Sequence, residues 1–310
     1  MIKVMISGSN GFVGSNLKKY LLRKNYLTSS FDRNDIKNIL DDNNYLNSKL
    51  LIKKLSKVAI FIHCAGIAHK PINKHDKKYI KELNINLTKK IYSLCIKCRV
   101  NKFIFISSSK VMGECSLNNE KFNESCIPIP NDYYALSKLK AENILQEIDN
   151  EFSTKLIILR PPIIYGPGVK GNFLTLIKGI YKGYPIPIVK NNKTRSFLSI
   201  NNFNSIINKC IKEDNINKIM YLISDDNDIS IEELICRIAE CLGKKPRIIY
   251  IPNFVVEKII KIIFKRIYFK IYSSFNLDME KFKDFYNWQS LKDDNSLKDT
   301  VNNYLSHARK

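Results

Sequence analysis

Ile2-Lys3-Val4-Met5-Ile6-Ser7-Gly8-Ser9-Asn10-Gly11-Phe12-Val13-Gly14 decides the fold. The apolar run over 2–7 reads as a buried parallel strand that stops at Gly8. Three glycines then lead into a helix expected over Asn16 to Lys24. In that context each glycine has a task. Gly8 allows the tight turn, Gly11 lets the backbone approach a pyrophosphate, and Gly14 lets helix and sheet pack closely. The helix N-terminus adds N–H groups and a partial positive charge, and Asn10, Phe12 and Val13 complete the phosphate-binding loop. Asp32 follows 18 residues after Gly14, where a carboxylate binds the ribose hydroxyls of NAD. Arg33, next to it, suits the 2′-phosphate of NADP instead. A nicotinamide dinucleotide, NAD or NADP, is the expected cofactor.

Outward from this loop, strands are expected at 26–31, 58–63, 102–107 and 155–160, with helices over 79–98 and 134–148 between them. Such alternation predicts an α/β fold, a Rossmann-type doubly wound parallel sheet. It weakens after Arg160, where Pro161, Pro162, Pro167, Pro185 and Pro187 interrupt the pattern. Residues 1–160 are therefore expected to form the dinucleotide-binding domain, carrying the proton-transfer residues as well. Residues 161–310 are expected to form a smaller α/β substrate-binding portion.

The chain has 310 residues and a net charge of +22, with 45% hydrophobic residues, which excludes disordered and fibrous classes. The lysines are spread along the chain with abundant Ile and Asn, and no nucleic-acid docking motif accompanies them, so no nucleic-acid partner is expected. Phe254 to Tyr272 is apolar but holds Glu257, Lys258, Lys261, Lys265, Arg266 and Lys270, too many charges for a membrane span. Its lysines at 258, 261 and 265 share one helical face. A helix covering the small domain is expected there, with contact to an anionic membrane surface as the other reading. Cys95-x-x-Cys98 lacks a second ligand pair, so no metal is expected. The chain opens directly on a strand, so no export signal is expected. Its thiols are then expected to be reduced and its location cytoplasmic.

Tyr134-Ala135-Leu136-Ser137-Lys138 puts a phenol and an ammonium four residues apart on one helix face. An adjacent ammonium favours the phenolate, which would lower the Tyr134 pKa and make it a usable acid/base. Tyr133 has no lysine at that spacing. Ser107-Ser108-Ser109 ends the preceding strand, at the sheet edge where ligands bind, and offers a hydroxyl for a substrate oxygen.

Taken together, these residues resemble the extended short-chain dehydrogenase/reductase family, NAD-dependent epimerase/dehydratase group, over essentially the whole chain. The resemblance implies that Ser108, the fifth residue before Gly113, is the catalytic hydroxyl beside Tyr134 and Lys138. His63-Cys64-Ala65-Gly66 is similar to the element lining the nicotinamide, which implies cofactor contacts at Ala65 and Gly66. Asn84-Ile85-Asn86-Leu87-Thr88 is similar to the segment that carries a cofactor-side asparagine, with Leu87 where the pattern has Gly. Arg160 to Gly168 resembles a block of enzymes acting on nucleotide-activated sugars. Asn172 and Arg195 then match substrate contacts, Arg195 on the diphosphate, where a planar guanidinium fits phosphate oxygens. Asp278 and Trp288 match late positions, with Asn287 replacing a Gly.

The closest resemblance is to bacterial polysaccharide-pathway enzymes similar to UDP-glucose 4-epimerase, although Lys110-Val111-Met112-Gly113 stands where those usually have Thr-Val-Tyr-Gly. The implied substrate is a UDP-sugar and the implied assembly a homodimer. The expected reaction is reduction of a UDP-4-keto-6-deoxy-N-acetylhexosamine at C4, with 4-epimerisation of UDP-glucose or UDP-N-acetylglucosamine as the alternative. Dehydration lacks its expected acid pair near Lys110. A non-enzymatic cofactor- or RNA-binding protein on the same fold is the third reading.

Overall fold

The computed structural model describes residues 1–41, 44–67, 74–116, 120–149, 154–215, 220–252, 273–291 and 295–308. The elements run β1 (Lys3–Ser7), α1 (Phe12–Arg23), β2 (Leu27–Phe31), α2 (Arg33–Asp41), α3 (Lys49–Leu55), β3 (Ile60–His63), α4 (Lys74–Lys81), α5 (Leu87–Lys97), β4 (Lys102–Ile106), α6 (Tyr133–Asp149) and β5 (Lys155–Arg160). They continue with β6 (Ile163–Tyr165), α7 (Gly171–Tyr181), β7 (Ile186–Ile188), β8 (Thr194–Arg195), β9 (Phe197–Ser199), α8 (Ile200–Lys212), β10 (Met220–Leu222), β11 (Ile229–Ser230), α9 (Ile231–Cys241), β12 (Ile248–Tyr250), α10 (Glu280–Tyr286) and α11 (Asn295–Ala308).

Alternation along the strands divides the core. Val4, Ile6, Ile62, Ile104 and Ile157 face α1 and α8, where Leu17, Leu21, Phe203 and Ile207 cover them. Met5, Phe61, Phe103, Phe105 and Ile158 face the other way, onto Leu51, Ile91, Tyr92 and Leu145. Side chains that point alternately to two faces, both covered by helices, explain why these strands are apolar throughout. The sheet has six strands in the order β10-β5-β4-β3-β1-β2, and every pair within it is parallel. The chain moves outward from β1 to β2 and then back past it to β3, so the order reverses between β1 and β3. That reversal opens a crevice at the carboxyl ends of the strands.

The register places Ser7 beside His63 and His63 beside Phe105, so the residues that follow these strands meet at one edge. Beyond Arg160 the chain returns to this sheet at β10, which pairs with β5. A separate core of Phe173, Ile177, Ile235, Ile238 and Val301 joins α7, α9 and α11. Helix α1 starts at Phe12, four residues before the expected Asn16, directly out of the glycine loop. The helix expected over 79–98 is divided by a π-helical turn over Glu82–Asn86, which widens the backbone around Asn84. The segment 254–272 lies outside the described residues. Among the described residues no helix is long and apolar enough to cross a membrane.

Candidate active site

The glycine loop is a close-fitting cradle. Gly8 has φ +71°, and the Gly11 N–H donates to the Gly8 carbonyl at 2.9 Å. A Cβ on Gly8 would lie 2.8 Å from the Ala65 nitrogen, and one on Gly14 only 2.3 Å from the Gly8 oxygen. Neither place admits a side chain. No side chain caps α1, whose first N–H groups are left to an outside acceptor. Backbone that close, with a bare helix N-terminus, fits a pyrophosphate. Asn16 donates to the carbonyls of Phe12 at 2.8 Å and Pro167 at 3.1 Å, tying the loop to the block after β6.

Asp32 is exposed at the end of β2. Its Oδ1 accepts the N–H groups of Asn34 at 2.8 Å and Asp35 at 3.1 Å, and Lys54 lies 3.5 Å from Oδ2. The bond from the Asp35 N–H, above all, holds this carboxyl below the ordinary range, so it stays ionised. Arg33 is exposed beside it.

His63 fixes the floor. Ser7 Oγ lies 2.6 Å from its Nδ1 and Thr88 Oγ1 lies 2.9 Å from its Nε2. Thr88 already donates to the Asn84 carbonyl, so Nε2 carries the ring proton and Nδ1 accepts from Ser7. Burial lowers the His63 pKa to about 3, with Lys138 adding to it, and the ring is neutral. Asn84, fully buried, donates to Ser137 Oγ at 2.9 Å and accepts the Ile67 N–H at 2.9 Å. A Cβ on Gly66 would lie 3.2 Å from Asn84 Oδ1 and 3.3 Å from Lys138 Nζ, so Ala65, Gly66, Asn84 and Lys138 meet at one place.

Ser108 opens a 3₁₀ turn over Ser109–Met112, its Oγ accepts the Lys110 N–H at 3.3 Å, and its hydroxyl is near enough to the Tyr134 phenol to favour the phenolate. Two residues separated by 26 positions are thus brought together at the end of β4. Lys138 is turned the other way. Its Nζ donates to the Ile106 carbonyl at 2.9 Å and lies 4.6 Å over the Phe105 ring. Burial lowers its pKa to about 8, with Cys64 and Glu142 countering. This corrects the expectation for Tyr134. Its pKa is not lowered but pushed up to about 12, because burial dominates, Ser108 opposes it, and Asp132 adds to the rise.

Arg195, on β8, donates to the Ser273 carbonyl at 3.1 Å and lies 5.2 Å over the Phe275 ring. Burial lowers its pKa to about 10, with Cys115 and Glu114 beside it, so it remains a cation at neutral pH. It therefore flanks the segment that follows the Ser108 turn. Asn172 is exposed in the first turn of α7. Trp288 is buried and donates to Ser205 Oγ at 3.2 Å, away from these groups, while Asp278 caps α10 through Glu280 N–H at 2.9 Å. Asn287 has φ +43°, the left-handed conformation that a Gly would hold there.

One buried cluster was missed. Glu142 receives Arg160 through Nε at 3.1 and 3.2 Å and through Nη2 at 2.6 Å, and it also accepts the Ser107 hydroxyl. Tyr134, Lys138 and Glu142 recur every four residues on α6, a spacing that could have pointed to it. The cluster ties β4, α6 and β5 together directly beneath Ser108. Among the described residues no group of His, Cys, Asp and Glu is placed to hold a metal.

With this geometry the matches to known proteins agree. Residues 4–223 match the NAD dependent epimerase/dehydratase family, and the chain belongs to that family. It is 35% identical over 250 residues to a UDP-glucose 4-epimerase of Vibrio cholerae, covering 78% of this chain and 76% of the relative. The fold resembles UDP-glucuronic acid 4-epimerase from Bacillus cereus in complex with NAD, at TM-score 0.77 and 22% identity over 100% of both chains. It also resembles RMD from Pseudomonas aeruginosa complexed with NADPH, at TM-score 0.76 and 19% identity, covering 99% of this chain and 100% of the other.

Proposed function

We propose that the protein is an NAD(P)-dependent oxidoreductase acting at C4 of a UDP-activated hexose, with 4-epimerisation as its net reaction. The observation that carries this reading is the nearness of the Ser108 hydroxyl to the Tyr134 phenol after β4, at the same carboxyl end of the parallel sheet as the glycine cradle after β1. The Vibrio cholerae relative supports the UDP-hexose and the epimerisation.

In this reading residues 1–160 hold the dinucleotide and residues 161–310 hold most of the nucleotide sugar. Gly8, Asn10, Gly11, Phe12, Val13 and Gly14 would hold the pyrophosphate, and Asp32 or Arg33 the adenosine ribose. Ala65, Gly66, Asn84 and Lys138 would line the nicotinamide side. The dinucleotide held by these residues would supply reversible hydride transfer at C4 of the sugar. In its phenolate form, which the upward shift makes the minor species at neutral pH, Tyr134 takes the proton of the C4 hydroxyl and later returns it. Ser108 donates to the C4 oxygen where negative charge develops. Arg195 holds the diphosphate, and Asn172 contacts the diphosphate or the sugar.

The second reading, 4-keto reduction of a UDP-6-deoxy-N-acetylhexosamine, is favoured by Lys110-Val111-Met112 in place of Thr-Val-Tyr. One experiment separates the two: UDP-glucose is incubated with the protein and NAD⁺, a UDP-4-keto-6-deoxy-N-acetylhexosamine is incubated with the protein and NADH or NADPH, and products and nicotinamide absorbance are followed. Formation of UDP-galactose with no net change in absorbance supports epimerisation. Stoichiometric loss of reduced cofactor with the keto sugar, and none of the epimer, replaces it with the reductase reading.

A further inference from the structure

Asp132 and Lys110 approach Tyr134 with opposite charges. Asp132 caps α6: its Oδ1 accepts the Ala135 N–H at 2.7 Å and its carbonyl accepts the Leu136 N–H at 2.9 Å. The cap fixes this carboxylate two residues before the phenol. Lys110 comes from the turn that Ser108 opens, and its backbone N–H donates to Ser108 Oγ at 3.3 Å. Its ammonium lies 3.2 Å from Asp132 Oδ2 and 5.8 Å over the Tyr134 ring.

An exposed ion pair contributes little to stability on its own, so stability is a poor account of this one. Its placement is more specific. Among the described residues, Ser108 and Lys110 reach Tyr134 from the turn after β4, and Asp132 reaches it from the cap of α6. Lys138 is committed to Ile106, Phe105 and the Gly66 side. The capping carboxylate raises the Tyr134 pKa, and an ammonium above the ring would favour the phenolate.

We propose that Lys110 is a positioning residue acting through Tyr134: paired with Asp132 and held over the ring, it offsets the capping carboxylate and keeps the phenol able to release its proton. The inference rests on Tyr134 being the proton-transfer group. Its direction agrees with the rise that Asp132 causes in the Tyr134 pKa. At this separation, in a partly solvated setting, removing the cation moves the phenol upward by about half to one pH unit.

The test places a fluorotyrosine at position 134 of the full chain and follows its titration by fluorine NMR, which needs no substrate. Lys110→Met should move the midpoint upward by about half to one unit. Asp132→Asn keeps a capping side chain without the charge and should move it downward. The double variant should return close to the parent, and Lys110→Arg should leave it in place. A midpoint that stays fixed in Lys110→Met, or a double variant no closer to the parent than Lys110→Met, overturns the inference. Turnover by Tyr134→Phe is measured separately. Full activity there would remove Tyr134 as the acid/base without altering what the titration says of Lys110.

Discussion

Between Gly8 and Gly14 the chain makes its cradle from backbone alone, within one turn and the start of one helix. Across the crevice, Arg195 reaches the Ser273 carbonyl over 78 residues of sequence, and Glu114 and Cys115 join it from a third segment. The first region depends on the absence of side chains at a few adjacent positions. The second depends on particular side chains delivered from far apart by the fold. A backbone site tolerates little added volume but much chemical change nearby, whereas a side-chain site should lose function atom by atom while the fold survives.

Four single substitutions and one double bear on that contrast, ordered from the largest expected effect to the smallest. Tyr134→Phe removes one oxygen from the side-chain half, and turnover should fall by about 10²- to 10⁴-fold with cofactor affinity and unfolding midpoint unchanged. Steady-state kinetics beside cofactor titration checks this, and a matching loss of affinity would blur the two regions. Glu142→Ala leaves Arg160 buried without its partner and should cost about 3–5 kcal/mol of stability, read by urea unfolding. The pair Glu142→Leu with Arg160→Met should recover most of that loss, since an apolar replacement leaves no charge stranded.

Gly14→Ala forces a Cβ against the Gly8 oxygen and should cost about 1–3 kcal/mol, with weaker NAD binding by calorimetry and no change in sugar preference. Unaltered binding would mean that the loop has room to shift. Arg195→Ala should raise KM for the nucleotide sugar by about 10- to 100-fold and leave kcat nearly alone. A KM that does not move would take Arg195 off the diphosphate.

The same contrast explains which features are legible in the sequence. The glycine loop and four apolar strand runs are legible because each is local: a turn residue, a period, a short apolar segment. The three-residue β10 carries too little pattern to announce itself, and only pairing with β5 makes it a strand. The spacing picks out Tyr134 and Lys138, but it gives the wrong direction for the Tyr134 pKa, which burial raises. Helical spacing tells which face two side chains share. It does not tell which of them burial will turn toward a carbonyl, as it turns Lys138 toward Ile106. The spacing on α6 singles out Glu142 but not its partner Arg160 on β5, and the Thr88–His63–Ser7 chain and the Lys110–Asp132 pair lie between elements, where composition and period are silent.

The central claim is that hydride leaves and returns at C4 while Tyr134 carries only a proton. It is tested most directly with a UDP-glucose deuterated at C4, incubated with the protein and NAD in ordinary water, with the product examined by NMR. The account predicts UDP-galactose with the label still at C4 and a rate slowed relative to the unlabelled sugar. Label exchanged into solvent, or epimerisation at another carbon, would contradict it.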